Sequence, residues 1–128
     1  MSNAATRTET RIQTIEGGIT APAGFTASGV YAGIKPPTHA WPLDVMLLTA
    51  DRPVSAAAVF TTNKTQAAPV LVSRANLEKS GGRAKAIVCN SGCANACTGD
   101  AGMDVAREMV AFVARHVGPM RGIFLFWR

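Results

Sequence analysis

Charge is scarce in this chain, and what there is does not cluster. Thirteen Lys and Arg stand against eight Asp and Glu in 128 residues, and charged residues make up 16% of the whole. No run of basic residues reaches three, and aromatics amount to 6%. Electrostatic recognition of nucleic acid wants a clustered basic patch with aromatic faces for stacking. Neither is present. The net charge of +5 reads instead as a mildly basic protein or one that handles acidic metabolites. Long apolar runs are missing too. No stretch approaches the length of a membrane span, and the first twenty residues hold no apolar signal-peptide core. The expectation is a cytoplasmic protein that binds neither nucleic acid nor membrane.

Cysteine and histidine are few. Cys89, Cys93 and Cys97 recur every fourth residue, while His39 and His116 each stand alone. Structural zinc and iron–sulfur clusters both want a fourth ligand and other spacings. No metal and no cofactor are expected. An odd cysteine count disfavours a disulfide scaffold, and the thiols read as small apolar fillers in a reducing compartment.

Catalytic signatures fail one after another. Around Ser91 the chain reads Cys89-Asn90-Ser91-Gly92-Cys93, which is not a nucleophile elbow. A phosphate loop lacks its Lys, and Gly92, Gly99 and Gly102 are too far apart for a dinucleotide fingerprint. Asp44 and Asp51 read as a strand edge and a turn rather than as paired acids. No spacing brings either His beside a Cys to activate it. The residues alone yield no complete catalytic set.

What is present is a one-domain length with 48% hydrophobic residues, much of it Ala and Val. A chain of this size buries roughly two-thirds of its unfolded surface. The expected class is α/β (α+β): a mixed sheet of short strands with helices packed on it, a partial α/β sandwich. Residues 1–16 read as a disordered or tag-like N-terminus, 17–118 as a single domain, and 119–128 as an atypical apolar tail. Period-2 alternation predicts a strand over 26–35. Prolines make 36–42 a loop. A strand over 43–49, a turn at Asp51-Arg52-Pro53 and a return strand over 54–61 form a predicted hairpin. Residues 68–73 read as a strand and 74–79 as a short helix ended by Ser80-Gly81-Gly82. Residues 84–89 read as a strand.

The helix over 102–117 carries the clearest pattern. Ala106, Met109, Val110, Val113 and Val117 fall on one face. Asp100 reads as its cap, Arg115 and His116 suit the dipole of its last turn, and Gly118-Pro119 stops it. Beyond it, residues 123–127 read either as a final strand or as a non-native end.

Between the strand at 84–89 and this helix lies Asn90-Ser91-Gly92-Cys93-Ala94-Asn95-Ala96-Cys97-Thr98-Gly99. Strand, small-residue loop and helix in that order is where α/β proteins place ligands. Little side-chain bulk obstructs the backbone N–H groups there. Asn90, Ser91, Gly92, Asn95, Thr98 and Gly99 are the candidate substrate-adjacent residues. Taken alone, the segment also suits a loop that merely caps the sheet edge.

Five segments in order carry a resemblance: Gly17-Gly18-Ile19-Thr20-Ala21-Pro22-Ala23-Gly24-Phe25, Gly29-Val30-Tyr31-Ala32-Gly33-Ile34-Lys35, Ala58-Val59-Phe60-Thr61-Thr62-Asn63, Ala67-Ala68-Pro69-Val70-Leu71, and the loop from Asn90 to Gly99. Over roughly 15–118 the chain resembles the N-terminal, α-chain part of the glutamate N-acetyltransferase/ornithine acetyltransferase family of arginine biosynthesis. The resemblance implies acetyl transfer from N-acetylornithine to glutamate, with acetyl-CoA as a further donor in some members. It implies a precursor that cleaves itself before a Thr, which becomes the nucleophile through its own amine. It also implies an oxyanion hole from a Ser-Thr-Gly segment on the strand after the 102–117 helix. Neither that segment nor the cleavage Thr occurs in these 128 residues. No catalytic residue is therefore carried over, and the chain is expected to be truncated and inactive alone. Its partners would be those substrates and either a second copy or a complementary β chain. The alternative reading is a small non-catalytic module that uses 84–117 to bind an anion or nucleotide, or a partner.

Overall fold

A computed structural model describes residues 13–36, 43–118 and 123–127. The elements run β1 (Phe25–Val30), β2 (Val45–Ser55), α1 (Ala68–Lys79), β3 (Arg83–Asn90), α2 (Gly99–Val117) and β4 (Ile123–Trp127). The four strands form one sheet in the order β1-β2-β3-β4. β1 and β2 are antiparallel, as are β2 and β3, whereas β3 and β4 are parallel. The crossover between the parallel pair is α2, the connection that parallel strands require. The expected class, a mixed sheet with helices packed on it, is the one observed.

The core lies between the helices and one face of β3. Ala86 and Val88 meet Ala68 and Val72 of α1 and Ala106 and Val113 of α2. Val45, Leu47, Met109, Val110 and Val117 close around them. The α2 face read from periodicity is thus the face that packs. Ala106 has no exposed surface, and alanine at such crossings lets helix and sheet approach closely. β1 lies beyond the reach of the helices and stays largely exposed.

Several expected elements differ. The predicted hairpin over 43–61 does not form. β2 continues to Ser55 through a register shift, so residues 50–53 stand opposite Lys85 alone. Pro53 sits in that irregular stretch, where no ladder hydrogen bond is lost, and the carbonyl of Pro53 accepts a bond from Arg83 Nη2 at 2.5 Å. Residues 56–61 then run without regular structure.

The strand expected over 68–73 is the first half of α1. Pro69 occupies the opening turn of the helix, where its missing N–H costs nothing. The helix does end at Ser80-Gly81-Gly82, with both glycines at positive φ. β1 stops at Val30 rather than continuing to Lys35. Asp100 lies inside the first turn of α2, whose N-cap is Thr98. Residues 123–127 form β4. The tag-like start up to residue 12, the proline loop over 37–42 and residues 119–122 of the tail lie outside the described residues.

Candidate functional site

The site is built on the parallel pair. Asn90, the last residue of β3, is in register with Trp127, the last of β4. The loop over 91–98 therefore leaves the sheet at the carboxyl ends of two neighbouring parallel strands, where open α/β sheets place ligands.

Its backbone is tightly specified. Gly92 has φ +105, and Asn95 and Cys97 have φ values of 47° and 59°. Left-handed geometry is uncommon for residues with a Cβ, although Asn tolerates it best. Asn95 is buried and bonds outward in three directions. Its Nδ2 donates to the Gly102 carbonyl at 2.8 Å, and its Oδ1 accepts from Thr98 Oγ1 at 2.5 Å. Its carbonyl accepts the Ala68 N–H at the start of α1 at 3.4 Å. One residue thus ties the loop to both helices. Gly102 completes the arrangement, because a Cβ there would overlap Thr98 Oγ1 and Asn95 Oδ1. The Thr98 hydroxyl is committed to Asn95 and makes no cap bond to the backbone of α2.

The other end of the loop rests on Asp44, which sequence reading placed at a mere strand edge. Its carbonyl accepts the Ser91 N–H at 2.9 Å, and its own N–H donates to Val30 at 3.0 Å. The buried carboxylate accepts from the Ala32, Ile34 and Lys35 N–H groups at 2.6, 2.7 and 3.2 Å. Burial alone would raise its pKa. The backbone donors of Ala32, Lys35 and Ile34 outweigh that and hold the carboxyl below its ordinary value. Asp44 so folds the segment 31–35 into a turn that packs on Gly92. The detectable signal was an acid flanked by Leu43 and Val45-Met46-Leu47-Leu48, where an unpaired charge would be costly.

Asn90 itself is only 3% exposed. Its Nδ2 donates to the Cys93 carbonyl at 3.2 Å, while its Oδ1 is buried without a partner among the described residues. A cleft of about 380 Å³ beside it is lined by Gly29, Asp44, Met46, Cys89, Asn90 and Ser91. Of the candidates, then, Asn90 and Ser91 border a cleft, while Asn95 and Thr98 brace the loop. Gly92 receives the Lys35 side chain, and Gly99 opens α2 with free space around it.

The cysteines are free thiols. Cys89 is half-buried, but Cys93 and Cys97 are exposed, so the expectation of apolar fillers fails for those two. Their positions follow from the loop backbone, which turns them outward. Among the described residues no three His, Cys, Asp or Glu gather as metal ligands. No described helix is long and apolar enough to cross a membrane.

Known proteins resemble this chain in sequence and in fold. The bifunctional arginine-biosynthesis protein ArgJ of Chlorobaculum tepidum is 51% identical over 94 residues, which are 73% of this chain and 22% of that protein. The mitochondrial ArgJ of Laccaria bicolor is 54% identical over 89 residues, 70% of this chain and 19% of its own. The crystal structure of ArgJ from Bacillus halodurans superposes with a TM-score of 0.78 at 35% identity, covering 87% of this chain and 56% of that one. The ornithine acetyltransferase of Mycobacterium tuberculosis, solved in complex with ornithine, gives 0.72 at 38% identity, over 87% of this chain and 59% of that one. The chain spans about a fifth of the length of these curated relatives. Residues 26–125, from β1 into β4, match the ArgJ family, and the chain belongs to it.

Proposed function

We propose that this chain is the N-terminal scaffold of an ornithine/glutamate acetyltransferase, and that it is inactive without the rest of the enzyme. The observation that carries the reading is the register of Asn90 with Trp127. It sets the 91–98 loop beside whatever leaves the end of β4, the place where the resemblance puts the oxyanion segment. In this reading N-acetylornithine gives its acetyl group to glutamate, with acetyl-CoA as a further donor. Asn90, Ser91 and Gly92 form a wall next to the reacting acyl group, and Asn95, Thr98 and Gly99 hold that wall in place. Nucleophile and oxyanion donors come from elsewhere in the enzyme.

The same reading includes a partner. Val30, Tyr31, Leu43 and Met46 are exposed apolar residues in and around the β1–β2 edge of the sheet. A complementary chain, or a second copy, covers them. A cytoplasmic location belongs to the proposal as well, although the fungal relatives are named as mitochondrial.

The test is acetyl transfer to labelled glutamate from N-acetylornithine or acetyl-CoA. The chain alone is expected to give none. A chimera of the Chlorobaculum tepidum ArgJ, with its matching stretch replaced by residues 26–117, is expected to transfer. Turnover by the chain alone, or a folded but inactive chimera, contradicts the reading.

A further inference from the structure

We propose that the free edge of β1 is a self-association site, at which two copies of the chain pair β1 with β1 antiparallel about a two-fold axis, Ala27 facing Ala27. Two four-stranded sheets become one. The inference stands on strand geometry and is independent of the acetyl-transfer reading.

The β1–β2 ladder decides which backbone groups are left over. β1 is outermost among the described strands and pairs with β2 on one side. The Asp51 N–H donates to the Gly24 carbonyl at 2.9 Å, one step before the Phe25–Ala50 pair, so Gly24 and Asp51 are a hydrogen-bonded pair of this register. Such pairs alternate along antiparallel strands. Thr26, Ser28 and Val30 therefore turn their backbone groups to β2. The bond from the Asp44 N–H to the Val30 carbonyl at 3.0 Å keeps the same alternation at the far end. Phe25, Ala27 and Gly29 turn their N–H and C=O groups outward, where no described strand meets them. The edge sequence, Phe-Thr-Ala-Ser-Gly-Val, holds neither charge nor proline, and every residue after Phe25 is exposed. Charges and prolines are the devices by which natural edge strands avoid one another.

A second copy is the partner these groups fit. With Ala27 facing Ala27, Phe25 of each copy faces Gly29 of the other, and each facing pair exchanges both of its bonds. Every outward N–H and C=O of both strands is then satisfied. Moving either strand by two residues leaves some of them unpaired. Moving it by one sets outward groups against groups already bonded to β2. The side chains agree with the same register. A Cβ on Gly29 would lie 3.1 Å from Leu43 Cδ1, so Leu43 leans over that bare position, yet Leu43 is 58% exposed. The half-buried Phe25 of the other copy completes the cover, as aromatic rings do over edge glycines. A two-fold interface also closes on itself, whereas pairing of β1 with the opposite edge, β4, would propagate from copy to copy.

The experiment is analytical ultracentrifugation of the 128-residue chain, joined to amide hydrogen exchange read residue by residue by NMR. A monomer–dimer equilibrium is expected. Raising the concentration into the dimer range is expected to slow exchange at Ala27 and Gly29 by about tenfold or more, with Thr26 and Ser28 protected throughout. Ala27→Lys and Ala27→Glu each set like charges opposite one another, and each alone is expected to weaken the dimer by about tenfold or more. Mixing the two variants is expected to restore it. Ala27→Pro removes an N–H that β2 does not use, and is expected to be monomeric with the far-UV circular dichroism of the parent. A parent chain that stays monomeric overturns the proposal. So does association that leaves Ala27 and Gly29 exchanging freely, or that survives unweakened in Ala27→Lys, since either result means stacking through the open face of the sheet. A mixture of the charged variants no better paired than either alone overturns the Ala27–Ala27 register. An inactive chimera with this dimer intact sinks the transacetylase reading alone, and an active chimera with a monomeric parent chain sinks the dimer alone.

Discussion

Gly102 shows how one missing side chain lets a loop close. Thr98 Oγ1 and Asn95 Oδ1 occupy the space a Cβ would need. Gly102→Ala in urea denaturation is expected to lose about 1–3 kcal/mol, the usual cost of forcing atoms into a filled site. Adding Thr98→Ala should recover part of that loss, because the nearest of the three overlapping atoms, Thr98 Oγ1, is gone while Asn95 Oδ1 and the Cβ of residue 98 remain. Asp44 makes the complementary case for a charge. Its folded pKa is depressed, so its contribution is fully present above the unfolded value and lost as pH falls through the folded one. Asp44→Asn is therefore expected to lower Tm at pH 7. The gap to the parent protein should close as pH drops below about 4, the ordinary carboxylate range. A gap independent of pH would show that the three N–H bonds to the carboxylate do not depend on its charge.

At the scale of elements, legibility followed periodicity. α2 was legible because Ala106, Val113 and their neighbours keep one face over several turns. β3 and the loop after it were legible because an apolar run breaks into Asn, Ser and Gly. α1 was misread, since Val70 and Val72 in a short apolar run suit a strand as well as a helix, and tertiary packing decided. Ala68, Pro69, Val72 and Ser73 are buried whereas Leu71 is 39% exposed, and burial in pairs four residues apart is helical and not alternating. Val72→Ala is accordingly expected to cost about 2 kcal/mol and Leu71→Ala under about 0.5 in the same denaturation series. The hairpin over 43–61 was misread because Asp51-Arg52-Pro53 has the chemistry of a turn. Here it is the irregular stretch of one long strand, held by Arg83 from β3. The loop residues of the site were visible by composition, but the role of Asp44 was not, because it depends on backbone N–H groups brought together only by the 31–35 turn.

At the scale of the molecule, the sheet is covered on one side and open along β1 and β2. Leu43 is 58% exposed and Met46 36%. Apolar surface of this kind, next to an edge strand β1 that carries no charged residue, favours association. Analytical ultracentrifugation of the 128-residue chain is expected to show species larger than monomer. Met46→Lys with Leu43→Lys should shift the distribution toward monomer, and a monomer at all concentrations in the parent chain would argue against an open face that needs covering. The scaffold reading itself is tested most directly by kcat/KM for acetyl transfer in the chimera carrying residues 26–117 in the Chlorobaculum tepidum enzyme. A value within about tenfold of the parent enzyme is the predicted result, whereas a folded, correctly processed chimera without measurable transfer would contradict it.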